Sequence, residues 1–225
     1  MFRIAVVSGL VVALSACHPA TPVQPAPLAA SARESAPVRN AASYPLLDDQ
    51  AGLMALYYGQ ARLPVPYERM AEAMSNDYRE TSNSFQRRSL LDALTPQIDA
   101  LLTRWQSQSC FSLKSRVSFS HFDLNQRVFR VSGLEAPMQF AFESGRYAIV
   151  LNNPPPHEYR PASEQLARRI EDVITRNGAT FAYPVTLRLC ARGVRDIADR
   201  NLVVANLEHA DVLDLTKNPL PLVVP

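Results

Sequence analysis

The chain has 225 residues, 47% hydrophobic and 20% charged, enough for one hydrophobic core and too few for two. Twenty-three basic residues against 21 acidic ones leave a net charge of +2, which supplies no field for gripping nucleic acid and excludes an acidic disordered chain. Its seven glycines are dispersed singly, so no Gly-rich loop is available to cradle a phosphate.

Met1-Phe2-Arg3 is a short positive start, and Ile4 to Ala13 follow without a charge. That apolar run suits the core of a signal peptide and falls short of the ~20 residues that span a bilayer. Leu14-Ser15-Ala16-Cys17 comes next. With Leu at −3, small residues at −2 and −1, and Cys at +1, it resembles the lipobox of bacterial lipoprotein precursors. The resemblance implies a signal peptide over residues 1–16, cleavage before Cys17, a diacylglyceryl thioether on Cys17, and acylation of the new amino terminus. Two or three acyl chains hold a protein on a membrane far more firmly than one. His18 stands at +2, where Asp favours retention in the inner membrane, so the resemblance implies the outer membrane, with the rest of the chain in the periplasm.

Residues 18–45 carry six prolines and eight alanines and almost nothing aromatic or β-branched. Such a stretch buries too little surface to repay its ordering. Residues 17–45 therefore read as the lipidated cysteine and a tether, reaching roughly 30 Å as coil and about 80 Å extended. Residues 46–225 read as a single globular domain.

Leu46 to Tyr58 suggests a short helix, opened by Asp48-Asp49 and stopped by Gly59. Residues 66–80 place Tyr67, Met70, Ala71, Met74 and Tyr78 at helical spacing. Residues 84–106 carry the stripe Leu91, Leu94, Ile98, Leu101, Leu102 and Trp105, and Thr95-Pro96 within it predicts a kink or a helix–helix junction. The period then shortens to two. Phe111, Leu113, Val117 and Phe119 alternate with polar residues in a half-buried strand. Further strands fit Gln126 to Ser132, Met138 to Phe142, and Tyr147 to Leu151, with Ser144-Gly145 as a hairpin turn. A helix over 162–176 buries Leu166, Ala167, Ile170, Val173 and Ile174 and closes at Asn177-Gly178. Strands over 184–192 and 201–213 follow, and 219–225 read as an apolar segment laid across the domain. The predicted class is α+β: N-terminal helices, then a largely antiparallel sheet of about six strands with one late crossover helix.

Once Cys17 is lipidated, Cys110 and Cys190 are the remaining thiols. In an exported chain the first reading of such a pair is a disulfide, on the outer face of the sheet beside Thr186, Arg188 and Arg192. Inert thiols and a thiolate activated by Arg188 and Arg192 are the alternatives. His157-Glu158 lacks the second histidine of a zinc-protease helix, and no spacing converges three or four ligands, so no metal and no cofactor is expected. His121 with Asp123, and His209 with Asp211, form i, i+2 pairs that could orient an imidazole. No Gly-x-Ser-x-Gly or Ser-x-x-Lys is present. Glu171-Asp172 and Asp48-Asp49 read as solvated helix positions.

Lys114 and Lys217 are the only lysines among the 23 basic residues. Arg168, Arg169, Arg176, Arg188, Arg192, Arg195 and Arg200 crowd the carboxyl-terminal third, and Arg168, Arg169, Arg188 and Arg192 form a candidate patch for an anionic partner. The plainer account is a genome that encodes its cations as arginine, with Glu164, Glu171, Asp172, Asp196 and Asp199 neutralising them. Leu63-Pro-Val-Pro-Tyr67 through Asp92, and the pairing of Val185–Arg192 with Leu202–Asp214, resemble periplasmic lipoprotein domains, a resemblance that implies no activity.

These readings favour a non-enzymatic lipoprotein, attached to the outer membrane through lipid on Cys17, whose domain binds an envelope protein or a cell-wall component. The alternatives are an envelope hydrolase or redox enzyme whose site converges only in the fold, and an immunity-type lipoprotein that inhibits a toxin.

Overall fold

Asp49 opens the first helix: its carboxylate accepts the Gly52 N–H at 2.6 Å, satisfying a donor of the first turn. The computed structural model describes residues 44–135, 139–142 and 145–222, and all of these belong to one compact unit. Residues 1–43, including the signal peptide, Cys17 and nearly all of the tether, lie outside the described residues.

Helix α1 (Gln50–Ala61) is buried on every side from Gln50 to Tyr57. Gly59 does not stop it. A Cβ there would stand 3.3 Å from Gln106 Cγ and 3.4 Å from the Gln106 backbone, so the bare glycine lets a later helix approach closely. The helix ends instead at Arg62, which takes a left-handed conformation and donates its N–H to the Tyr58 carbonyl.

The helix expected over 66–80 is two, α2 (Tyr67–Met74) and α3 (Asn76–Glu80). Ser75 divides them with an extended backbone, and its hydroxyl caps the second by accepting the Tyr78 N–H at 3.2 Å. Helix α4 (Ser84–Ser107), by contrast, runs unbroken through Pro96. The junction expected at Thr95-Pro96 is absent because Thr95 does not cap a new helix; its hydroxyl donates back to the Leu91 carbonyl at 2.8 Å. Ile98, Leu102 and Trp105 are its buried residues.

The strands are β1 (Cys110–Phe119), β2 (Phe129–Ser132), β3 (Gln139–Ala141), β4 (Tyr147–Leu151) and β5 (Glu158–Tyr159). After helix α5 (Glu164–Asn177) come β6 (Tyr183–Ile197), β7 (Arg200–Val212) and β8 (Leu220–Leu222). They form one sheet in the order β3-β4-β7-β6-β1-β2-β5, with β8 added beside β7. Strand β2 starts three residues later than expected because Asp123 folds the preceding segment into a turn, its carboxylate accepting the Asn125 and Gln126 N–H groups at 2.8 and 2.9 Å.

The chain combines helices with a sheet, but the sheet is mixed, with eight described strands where about six in a largely antiparallel arrangement were expected. Residues 147–151 of β4 pair parallel with 201–205 of β7. Parallel neighbours covered on both faces favour continuous apolar runs, and Tyr147–Ile149 and Leu202–Ala205 are buried without alternation. Helix α5 is not a crossover between adjacent parallel strands; it joins β5, at the sheet edge, to β6, which β5 does not touch.

The long β6–β7 hairpin sits at the middle of the sheet, with Val185 opposite Val212 and Leu187 opposite Ala210. Its register shifts twice, between Arg188 and Leu189 and between Ala191 and Gly193. Inward residues of β1, β6 and β7 join α1, α2, α4 and α5 in one hydrophobic cluster. Ahead of α1, the Pro45 carbonyl accepts the Ser112 N–H and Leu47 donates to the Ser112 carbonyl, both at 2.9 Å, which ties this segment to β1.

Candidate functional site

Helix α5 organises the most suggestive surface. Ser163 caps it by accepting the Leu166 N–H at 3.2 Å, and Gly178 closes it. Ala167, Ile170 and Ile174 point into the core, which leaves the charged residues of the helix on two exposed flanks.

One flank meets the β1–β2 turn. Glu171 binds that turn with both oxygens, one 2.6 Å from His121 Nδ1 and the other accepting the Phe122 N–H at 2.8 Å. Phe122 packs on Phe129 with ring centroids 4.9 Å apart, and Leu124 at the tip of the turn is 82% exposed. Between the turn and α5 lies a groove of about 610 Å³, lined by Phe122, Leu124, Ala167, Arg168 and Glu171 among others. Chemically this is an apolar trough edged by charges. The imidazole stands behind Glu171, and neither serine nor cysteine lines the trough.

The other flank meets the loop between β7 and β8. A groove of about 420 Å³ runs there, with Arg169, Asp172 and Arg176 on the helix and Lys217 on the loop.

The opposite face of the β6–β7 hairpin carries a polar cluster. Asp211 bonds His209 Nε2 at 2.9 Å with one oxygen and the Arg188 guanidinium at 2.8 Å with the other. Both Asp211 oxygens are occupied, which makes this a clamp between the strands of the hairpin.

Three tyrosines form a further cluster near α1. Tyr57 and Tyr58 meet edge to face at 5.2 Å, and the Tyr58 and Tyr147 hydroxyls share a hydrogen bond at 2.9 Å. Tyr57 donates to Asp196. Burial first, then the bond to Tyr147, pushes the Tyr58 hydroxyl up to about 12, against the pull of Arg69 and Arg146. Burial and the Asp196 carboxylate raise Tyr57 as well.

Cys110 and Cys190 are joined in a disulfide. Cys190 shares a strand face with Thr186 and Arg188, as expected, yet both cysteines are less than a tenth exposed. The four patch arginines have different settings. Arg168 bonds Glu164 at 2.7 Å, Arg188 bonds Asp211, and Arg192 bonds Glu208 at 3.1 Å. Arg192 and Glu208 are the residues left without a ladder partner at the two register shifts. Arg169 alone of the four lines the α5–loop groove, beside Arg176 and Lys217, which the sequence reading left outside the patch. The rarity of lysine was the one available signal for Lys217.

His209 bonds Asp211 as its spacing suggests, but His121 turns to Glu171 while Asp123 caps its own turn. Glu171 and Asp49 are therefore engaged, not merely solvated. Among the described residues, no group of three or more His, Cys, Asp or Glu is placed to hold a metal ion. Among the same residues, no helix is long and apolar enough to cross a membrane. Compared with known proteins, the chain matches no family model, no curated protein and no solved structure.

Proposed function

We propose that the chain is a lipoprotein of the bacterial outer membrane, cleaved before Cys17 and anchored by lipid on that residue. Its α+β domain stands in the periplasm on the tether and binds an envelope protein or a cell-wall component. The observation that carries this reading is Leu14-Ser15-Ala16-Cys17, in register behind the uncharged run from Ile4 to Ala13. The Cys110–Cys190 bridge accords with an oxidising compartment. The grooves flanking α5 offer surfaces on which a partner could rest.

In-cell crosslinking of the full-length chain, followed by mass spectrometry, tests the binding role. One abundant envelope protein, or a wall fragment, is the expected capture; background alone counts against it. Replacing Cys17 with alanine tests the anchor: label from a fatty-acid probe and membrane association are both expected to vanish. Persistence of both refutes anchoring at this residue.

A second reading, an envelope hydrolase, draws on His121 held at 2.6 Å by Glu171 beside the larger groove. Its test is a substrate screen, with any activity expected to disappear in His121→Gln.

A further inference from the structure

We propose that the groove between α5 and residues 215–218 binds a phosphate monoester that carries an apolar group. Arg169 and Arg176 on the helix and Lys217 on the loop converge on this groove of about 420 Å³, against one carboxylate, Asp172. None of the three cations has a carboxylate partner among the described residues. Arg168, on the other flank of the helix, pairs with Glu164. The only bond of Arg176 here is from its Nε to the Asp172 backbone carbonyl at 3.2 Å, which leaves the rest of its guanidinium fork free of carboxylates.

Helix electrostatics do not account for the set. Arg176 lies in the last turn of α5, where a cation complements the helix dipole, but Arg169 lies mid-helix and Lys217 belongs to another element. Three cations against one acid leave an excess of two positive charges, which matches a phosphate monoester at about −1.5 to −2 better than a monocarboxylate. Arginine forks suit phosphate oxygens, and lysine adds a compact point charge. The floor is Leu166, Val173 and the buried Leu215, which calls for an apolar group attached to the phosphate. The volume fits a small molecule or a headgroup-sized portion of a lipid. The inference stands independently of lipidation at Cys17.

Isothermal titration of the full chain with hexyl phosphate, and with hexanol as the uncharged control, tests it. A saturable response to the phosphate and none to hexanol is expected. Arg169→Gln and Lys217→Gln should each weaken binding by roughly tenfold or more, the scale of a lost charge-assisted hydrogen bond. Arg168→Gln removes the same charge from the adjacent residue, on the other flank, and should change binding less than about twofold. All three positions are exposed, and far-ultraviolet circular dichroism checks that each variant folds as the parent does.

Sedimentation with phosphatidylcholine vesicles, with and without phosphatidate, separates the two sources of the phosphate. Phosphatidate-dependent binding lost in Lys217→Gln, with no response to hexyl phosphate, assigns a lipid headgroup. A response to hexyl phosphate assigns a soluble ester. The proposal is overturned if neither probe gives phosphate-dependent binding, or if Arg168→Gln weakens it as much as Lys217→Gln.

Discussion

Cys110 and Cys190 stand directly opposite each other on β1 and β6, with Cα atoms 4.0 Å apart and a sequence separation of 80. Their disulfide ties the strand that follows the helical region to the central hairpin. It encloses β2 to β5 and α5 within one covalent loop.

Opening that loop should cost stability. Closing 80 residues is worth about 4.5 kcal/mol in the chain-entropy model, and removing native disulfides from small secreted domains costs about 2–5 kcal/mol. Urea denaturation of Cys110→Ser/Cys190→Ser should show a loss in that range. Non-reducing peptide mapping should recover the two cysteines in one linked peptide. Two freely alkylated thiols in protein expressed in an oxidising compartment would contradict the bridge.

Gly133, just after β2, has a φ of +97°, and a Cβ on it would lie 2.9 Å from the Arg116 carbonyl oxygen. Gly178 has a comparable φ of +88°, but a Cβ there meets nothing within 4 Å. Gly178→Ala should cost about 1–3 kcal/mol from backbone strain alone. Gly133→Ala should cost more, because β1 must move to admit the methyl group. Equal losses in parallel denaturation curves would show that the contact with Arg116 is not felt.

The Tyr58–Tyr147 bond joins unequal partners. Tyr147 is 2% exposed, whereas Tyr58 is half-buried. Tyr58→Phe strands a buried hydroxyl and should cost about 1–3 kcal/mol. Tyr147→Phe leaves the Tyr58 hydroxyl able to reach water and should cost less of this hydrogen-bond energy. The ranking can be read from the shift in denaturation midpoint.

Tyr58 also sets an alkaline limit. A tyrosine whose hydroxyl is raised in the fold stabilises the native state fully below its unfolded value of 10. That contribution is lost as pH rises through the native value of about 12 for Tyr58. The raised Tyr57 acts in the same direction. The denaturation midpoint should therefore fall between pH 10 and 12, and less steeply in Tyr58→Phe. Phenolate absorbance should show a group of tyrosines titrating late; all eight ionising together near 10 would contradict the account.

Much of the fold is legible locally. Strand β1 alternates with period two, α5 carries its apolar stripe between Ser163 and Gly178, and β7 lies within a residue of its predicted segment, whereas β6 runs on to Ile197, past the predicted end at Arg192. What escapes is long-range or depends on one side chain's choice of partner. Tyr147–Leu151 and Leu202–Ala205 are each apolar runs, but nothing local states that they pair, or in which direction. Ser75 and Thr95 are similar in chemistry. One caps a new helix and the other bonds back into its own, a difference that the residue types do not state. The candidate site was less legible still. Glu171 reaches His121, and Lys217 joins Arg169 and Arg176, across stretches of chain that only the fold closes.

The mass of the chain extracted from membranes tests the central claim most directly. The account predicts a mature protein that begins at Cys17, lacks residues 1–16, and carries added mass equal to a diacylglyceryl group with or without a further acyl chain. A chain recovered with residues 1–16 still attached, or cleaved elsewhere and free of lipid, would contradict it.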